Sequence, residues 1–127
     1  MTRDERVVES IRHMTKHVTA MTDVTKSGNE FYFRFKDHLF SIMQRSESHE
    51  WGEYSFFVYP LWTGSIANLI QEFEYNGTEN VEMVSFHVNA MDASDAKAAM
   101  RDLYFALNAQ RSDIDAILDD VLGVSAE

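Results

Sequence analysis

The sequence has no cysteine, a single proline and only five glycines, isolated at positions 28, 52, 64, 77 and 123. Without cysteine there are no disulfides, thiolate zinc sites, cysteine nucleophiles or redox switches, and nothing calls for an oxidising compartment. Scattered glycines build no Gly-rich phosphate loop, and neither Gly-x-Ser-x-Gly nor His-Glu-x-x-His occurs, so no motif points to catalysis. No run approaches the ~18 apolar residues of a membrane span, and the opening residues lack the apolar centre of a signal peptide. The expectation is a soluble, cytoplasmic protein with no membrane partner and no cofactor.

Cations are scarce in the second half. Residues 1–63 hold 8 Lys/Arg against 9 Asp/Glu, whereas residues 64–127 hold 3 (Lys97, Arg101 and Arg111) against 12, a balance of -9 within a total of -10. Binding to nucleic-acid phosphates depends on Lys and Arg, so direct nucleic-acid binding is not expected. The same field attracts basic protein surfaces and speeds association with them.

What is present suits one domain: 127 residues, 45% hydrophobic, 13% aromatic and 25% charged, enough for a real core without staples. Val7, Ile11, Met14, Val18 and Met21 form one helical stripe, predicting a helix over 2–21 that packs on a sheet or pairs with a second copy. Gly28 and Asn29 break the chain, and strands are predicted over 30–36, 39–45 and 53–60. Ser65, Ile66, Leu69 and Ile70 suggest a short helix, followed by a strand to Tyr75. Asn76-Gly77 is a strong hairpin signal leading into a long strand over 80–89. Two helices close the chain. The first runs from a cap at 92–95 to Ala109, with Ala96, Ala99, Met100, Leu103 and Leu107 inward. The second is capped at 112–115 and stopped by Gly123, with Ile114, Ile117, Leu118, Val121 and Leu122 inward. The expected fold is α+β, an antiparallel sheet of four or five strands with an N-terminal helix and a C-terminal helical hairpin.

Three groups of residues could carry function. Glu72, Glu74, Glu79 and Glu82, with Asp113, Asp115, Asp119 and Asp120, form a candidate acidic patch; Asp119 and Asp120 oppose the dipole of their own helix, as a surface kept acidic for a basic partner would. Trp51 and Trp62 are candidate interface aromatics, Trp51 in a polar loop, and Tyr32, Phe57 and Tyr59 lie on a second sheet face that is either covered by a terminal helix or open for recognition. Arg6, His13 and His17 share a helix flank with Ser10 and could bind an anion or face the acidic half of another subunit; two imidazoles alone do not make a zinc site.

The favoured function is a non-catalytic acidic binding protein that docks on a basic partner, such as a nucleic-acid-handling protein, as an immunity or phage anti-defence inhibitor does. Direct mimicry of nucleic acid fits less well, since this charge is thin beside one phosphate per ~1.7 Å of duplex. The order of elements is similar to that of type III secretion chaperones, which implies a homodimer holding an extended segment. The third alternative is a small-ligand protein binding an anion or nucleotide through Arg6, His13 and His17.

Overall fold

The computed structural model describes residues 1–111 and 114–123. Helix α1 (Arg3–Lys16) opens on a reciprocal cap: Thr2 Oγ1 accepts from the Glu5 amide at 3.2 Å and Glu5 Oε1 accepts from the Thr2 amide at 3.3 Å. Asp4 and Glu5 in its first turn and Lys16 in its last complement the helix dipole. The helix stops five residues before the expected Met21, passing through a 3-10 turn at Val18–Ala20. Branched Thr15, Val18 and Thr19 weaken the end of the helix, and the residues after it are needed for a strand. Its buried stripe is Val8, Ile11 and Met14, with Val7 half-buried beside it.

That strand, β1 (Thr22–Ser27), was not expected, because Val24 is its one apolar residue. It pairs antiparallel with β2 (Glu30–Phe35) through a register shift between Thr22 and Thr25, where Asp23 takes a positive φ of 56°. A bulged, polar edge strand resists pairing with other chains. Lys36 and Asp37, both at positive φ, make the tight turn into β3 (His38–Gln44). β4 (Tyr54–Val58) and β5 (Val84–His87) complete a five-stranded sheet in the order β1-β2-β3-β4-β5, every neighbouring pair antiparallel. The expected α+β class and antiparallel sheet with flanking helices are what the chain forms.

Alternation along the strands sorts the core into two layers. Phe31, Phe33, Phe35, Ile42, Phe56 and Phe86 face α1 and α3 (Ala96–Arg111), whose Ala96, Ala99, Met100, Leu103 and Leu107 are all buried as their spacing predicts. On the opposite face, Tyr32, Leu39, Phe57 and Tyr59 are buried beneath α2 (Ile66–Asn76), through Ile66 and Leu69, together with Val81. The second face is therefore not open, and the cover is α2 rather than a terminal helix.

Helix α2 overturns the predicted strand to Tyr75 and its hairpin. Ser65 caps it by accepting from the Asn68 amide at 3.0 Å, and it continues to Gly77, which ends it at φ 66° while donating to the Phe73 carbonyl at 3.1 Å. Asn-Gly signals a positive-φ position, which a helix stop needs as much as a hairpin does. The tie is broken by burial: continued helical spacing brings Phe73 onto the same side as Ile66, Leu69 and Ile70, against the sheet. The expected long strand over 80–89 shrinks accordingly to the four residues of β5.

Helix α4 (Ile114–Leu122) forms where expected and Gly123 follows at φ 68°. The expected cap at 112–115 includes Ser112 and Asp113, which lie outside the described residues. Its apolar side is not inward, however. Ile117, Leu118, Val121 and Leu122 are 52 to 76% exposed. Periodicity specifies an apolar face but not what covers it, and the face of α3 that looks at the core is already filled by α1 and the sheet. Among the described residues no helix is long and apolar enough to cross a membrane.

Candidate functional site

The α2 side of the sheet carries a polar network within its apolar cover. Glu30 is buried, and its carboxylate accepts from the Tyr32 hydroxyl at 2.9 Å and from Ser41 Oγ at 2.6 Å; Ser41 in turn lies 2.8 Å from the Tyr59 hydroxyl. Burial pushes the Glu30 carboxyl above its ordinary pKa, against the opposing pull of the Ser41 and Tyr32 hydrogen bonds and the Arg45 charge. Burial, followed by the neighbouring Glu30 charge, raises both tyrosines as well. With Glu30 ionised, hydrogen bonds run from Tyr59 through Ser41 and from Tyr32 to one carboxylate, so every member of the cluster is satisfied. The signal for this network was present in the alternation, which sets Glu30 and Tyr32 on one face of a strand otherwise rich in Phe.

Further along the same face, Ser55 Oγ lies 2.7 Å from His87 Nδ1 and also accepts from Arg45 Nη1. Trp51 stacks on His87 at 4.4 Å between ring centroids, and the Arg45 guanidinium sits 5.2 Å from the Trp51 ring centroid. Gly52 makes this stack possible: at φ 93°, with Val88 and Asn89 against it, the position leaves no room for a Cβ. Burial, then the Arg45 and His49 charges, holds the His87 imidazole below its ordinary pKa. A serine–histidine pair suggests acyl chemistry, but Ser55 is fully buried, with its hydroxyl engaged by both His87 and Arg45. The arrangement ties the β3–β4 loop to β5. Trp51 remains 46% exposed, as its loop position predicts.

The acidic residues divide between two places. Glu72 and Glu74 are on α2, and Glu79 and Glu82 follow it. Glu72 and Glu82 flank Trp62, which lines two shallow clefts, one of about 380 Å³ with Asn68, Gln71, Glu72 and Tyr75, the other of about 200 Å³ with Leu61, Asn80, Val81 and Glu82. Trp62 is held in place by its indole N–H, which donates to the Ser65 carbonyl at 3.1 Å. Around it Leu61 is 67% and Tyr75 77% exposed, and Glu74, Glu79 and Glu82 are exposed too. No Lys or Arg occurs in the sequence between Arg45 and Lys97. Arg34 approaches, but its guanidinium is engaged by the Gly64 carbonyl at 2.6 Å and by Asp23 at 3.6 Å. Asp119 and Asp120, by contrast, are exposed on α4, the last helix of the chain order. Asp113 and the side chain of Asp115 lie outside what is described. Of the eight acidic residues singled out in the sequence, four are thus carried by α2 and the segment after it, and two, Asp119 and Asp120, by α4. Trp51 belongs to neither group.

Arg6, His13 and His17 share one flank of α1, as their spacing predicts. The two imidazoles stand 4.6 Å apart, and His13 meets the edge of Phe35 at 6.0 Å. Arg6 and Ser10 line both halves of a groove between α1 and strands β3–β5, of about 550 Å³ at the His13 end and about 410 Å³ at the Val84 end, with Phe40 shared by both. His17 does not line it. Among the described residues no group of three or more His, Asp or Glu side chains is placed to hold a metal ion.

Compared with protein-family models, curated proteins and solved structures, the chain matches none of them. Any functional reading therefore rests on these surfaces alone.

Proposed function

We propose that this is a non-catalytic acidic binding protein that docks, through the surface around Trp62, on a basic surface of another protein and blocks it. The observation that carries the reading is the constellation itself: a positioned tryptophan, flanked by the exposed apolar side chains of Leu61 and Tyr75 and bracketed by Glu72 and Glu82. Interface hot spots are enriched in Trp and Tyr within a polar rim, and opposite charge on the partner steers the encounter. Proteins that handle nucleic acid present such basic surfaces, because they must neutralise phosphates. An inhibitor of the immunity or anti-defence kind is the class this chemistry suits.

The test is photo-crosslinking in the cells that make the protein, with a benzophenone amino acid at position 75 and, as control, at the exposed Phe105 of α3. Adducts should form from position 75 with a protein cross-linked on a Lys/Arg-rich surface. They should weaken in high salt and in the Glu72→Lys, Glu82→Lys double variant. A partner caught only from position 105, or adducts indifferent to both salt and charge reversal, overturns the reading.

A further inference from the structure

Apart from the Trp62 surface, two apolar surfaces among the described residues are open, and they carry opposite charge. One is the groove beside α1. Its floor is the strip of sheet that α1 and α3 leave half-covered, Phe40, Val58 and Val84, and each half of it is within the ~300–1,000 Å³ of sites that receive a ligand. Its borders are cationic: Arg3 and Arg6 on the α1 wall, Lys36 at the β2–β3 turn. Arg3 lies 5.6 Å from the Phe86 ring centroid and Lys36 5.8 Å from that of Phe35. Among the described residues none of these three cations is in an ion pair, and Glu9 is the one carboxylate among the groove's lining residues. His13 and His38 lie at the same end as Lys36. This is an exception in a chain of net charge -10.

The other surface is α4. Ile117, Leu118, Val121 and Leu122 make one exposed stripe, and at about 100° per residue Asp119 falls on one border of it and Asp120 on the other. An apolar stripe between two acidic borders is the complement of an apolar floor between cationic borders.

We propose that α4 of a second copy of this chain seats in the α1 groove, and that the exchange is reciprocal, giving a two-fold dimer. Each copy then covers the exposed stripe of the other, and a surface self-complementary in this way closes on itself instead of growing into a fibre. Apolar burial supplies the attraction, and the Asp119, Asp120 to Arg3, Arg6, Lys36 matching sets the register and makes the dimer salt-sensitive. This does not draw on the Trp62 surface, which lies on the opposite side of the sheet and stays free in the dimer.

The experiment is sedimentation velocity with native mass spectrometry on the purified full chain, from micromolar to submillimolar concentration and at low and high salt. A dimer is expected that weakens as salt rises. The Leu118→Glu, Val121→Glu double variant should be monomeric. Arg6→Glu and the Asp119→Lys, Asp120→Lys pair should each weaken dimerisation by about tenfold or more, the change that roughly 1.4 kcal/mol brings. All three charge changes in one chain should recover most of the loss. Every substituted side chain is exposed, so circular dichroism should show each variant folded. A chain that stays monomeric throughout overturns the proposal, including one whose α4 folds onto its own groove, and so does a dimer that neither charge set alters.

Discussion

Leu69→Ala tests the element on which the Trp62 surface depends. Leu69 is fully buried between α2 and the sheet face formed by Tyr32, Leu39, Phe57 and Tyr59. The substitution removes three carbons, about 2.4 kcal/mol of transfer free energy at ~0.8 kcal/mol each. The cavity left behind raises the loss to ~3–5 kcal/mol, because aromatic neighbours anchored in a sheet relax only in part. With an unfolding entropy of ~2.1 cal/mol/K per residue, a chain of this length has ~0.27 kcal/mol/K, so the midpoint should fall by about 11 °C or more. Tyr75→Ala is the control. In a strand running to an Asn76-Gly77 hairpin, alternation would bury Tyr75 with Phe73; on α2 it is exposed, and its loss should cost no more than ~0.5 kcal/mol. Urea unfolding followed by circular dichroism, with calorimetry for the midpoint, reads both. A Leu69→Ala loss below ~1 kcal/mol, or a Tyr75→Ala loss equal to it, would refute the placement of α2 on the sheet.

Three further outcomes are expected. Gly77→Ala should cost ~1–3 kcal/mol by thermal melting, since Gly77 holds φ 66° and ψ -151°, a region open almost only to glycine; an unchanged midpoint would show that the helix does not end there. Glu30 is raised above its unfolded pKa, so between the two values the folded chain binds more protons and its stability declines as pH rises. Melting of Glu30→Gln against the parent from acid to neutral pH should therefore show the variant gaining relative stability as pH rises, and a constant or opposite difference would contradict the burial argument. Protonation of His87 should quench the Trp51 stacked on it, so the emission of Trp62→Phe should titrate with a midpoint below the ordinary histidine value, while Trp51→Phe shows no such step.

Much of the fold is local in origin and was legible. The start of α1, the Phe31, Phe33 and Phe35 alternation and the buried positions of α3 follow from spacing and side-chain chemistry that need no tertiary partner. The misreadings have one physical root. β1 is a strand because β2 offers it an edge to pair with; its β-branched Thr22, Val24 and Thr25 suit a strand, but with one apolar residue they show no alternation to announce it. Residues 72–76 are helix because the sheet face needs a cover, although Asn76-Gly77 serves a hairpin equally well. The candidate sites divide in the same way. Exposure of Trp51 and the shared flank of Arg6, His13 and His17 were readable from local pattern. The union of Trp62 with Glu72 and Glu82 depends on how α2 and the segment after it lie against the sheet.

By itself, then, the sequence determined an acidic α+β chain, its terminal helices, three of its strands and the faces on which its aromatics lie, since period and composition are properties of neighbouring residues. Only the tertiary structure decided which helix covers which face, that Trp62 comes to lie between Glu72 and Glu82, and that α4 leaves its apolar stripe exposed while the groove beside α1 stands open. These are matters of burial between distant segments, and local period carries no information about what a face meets.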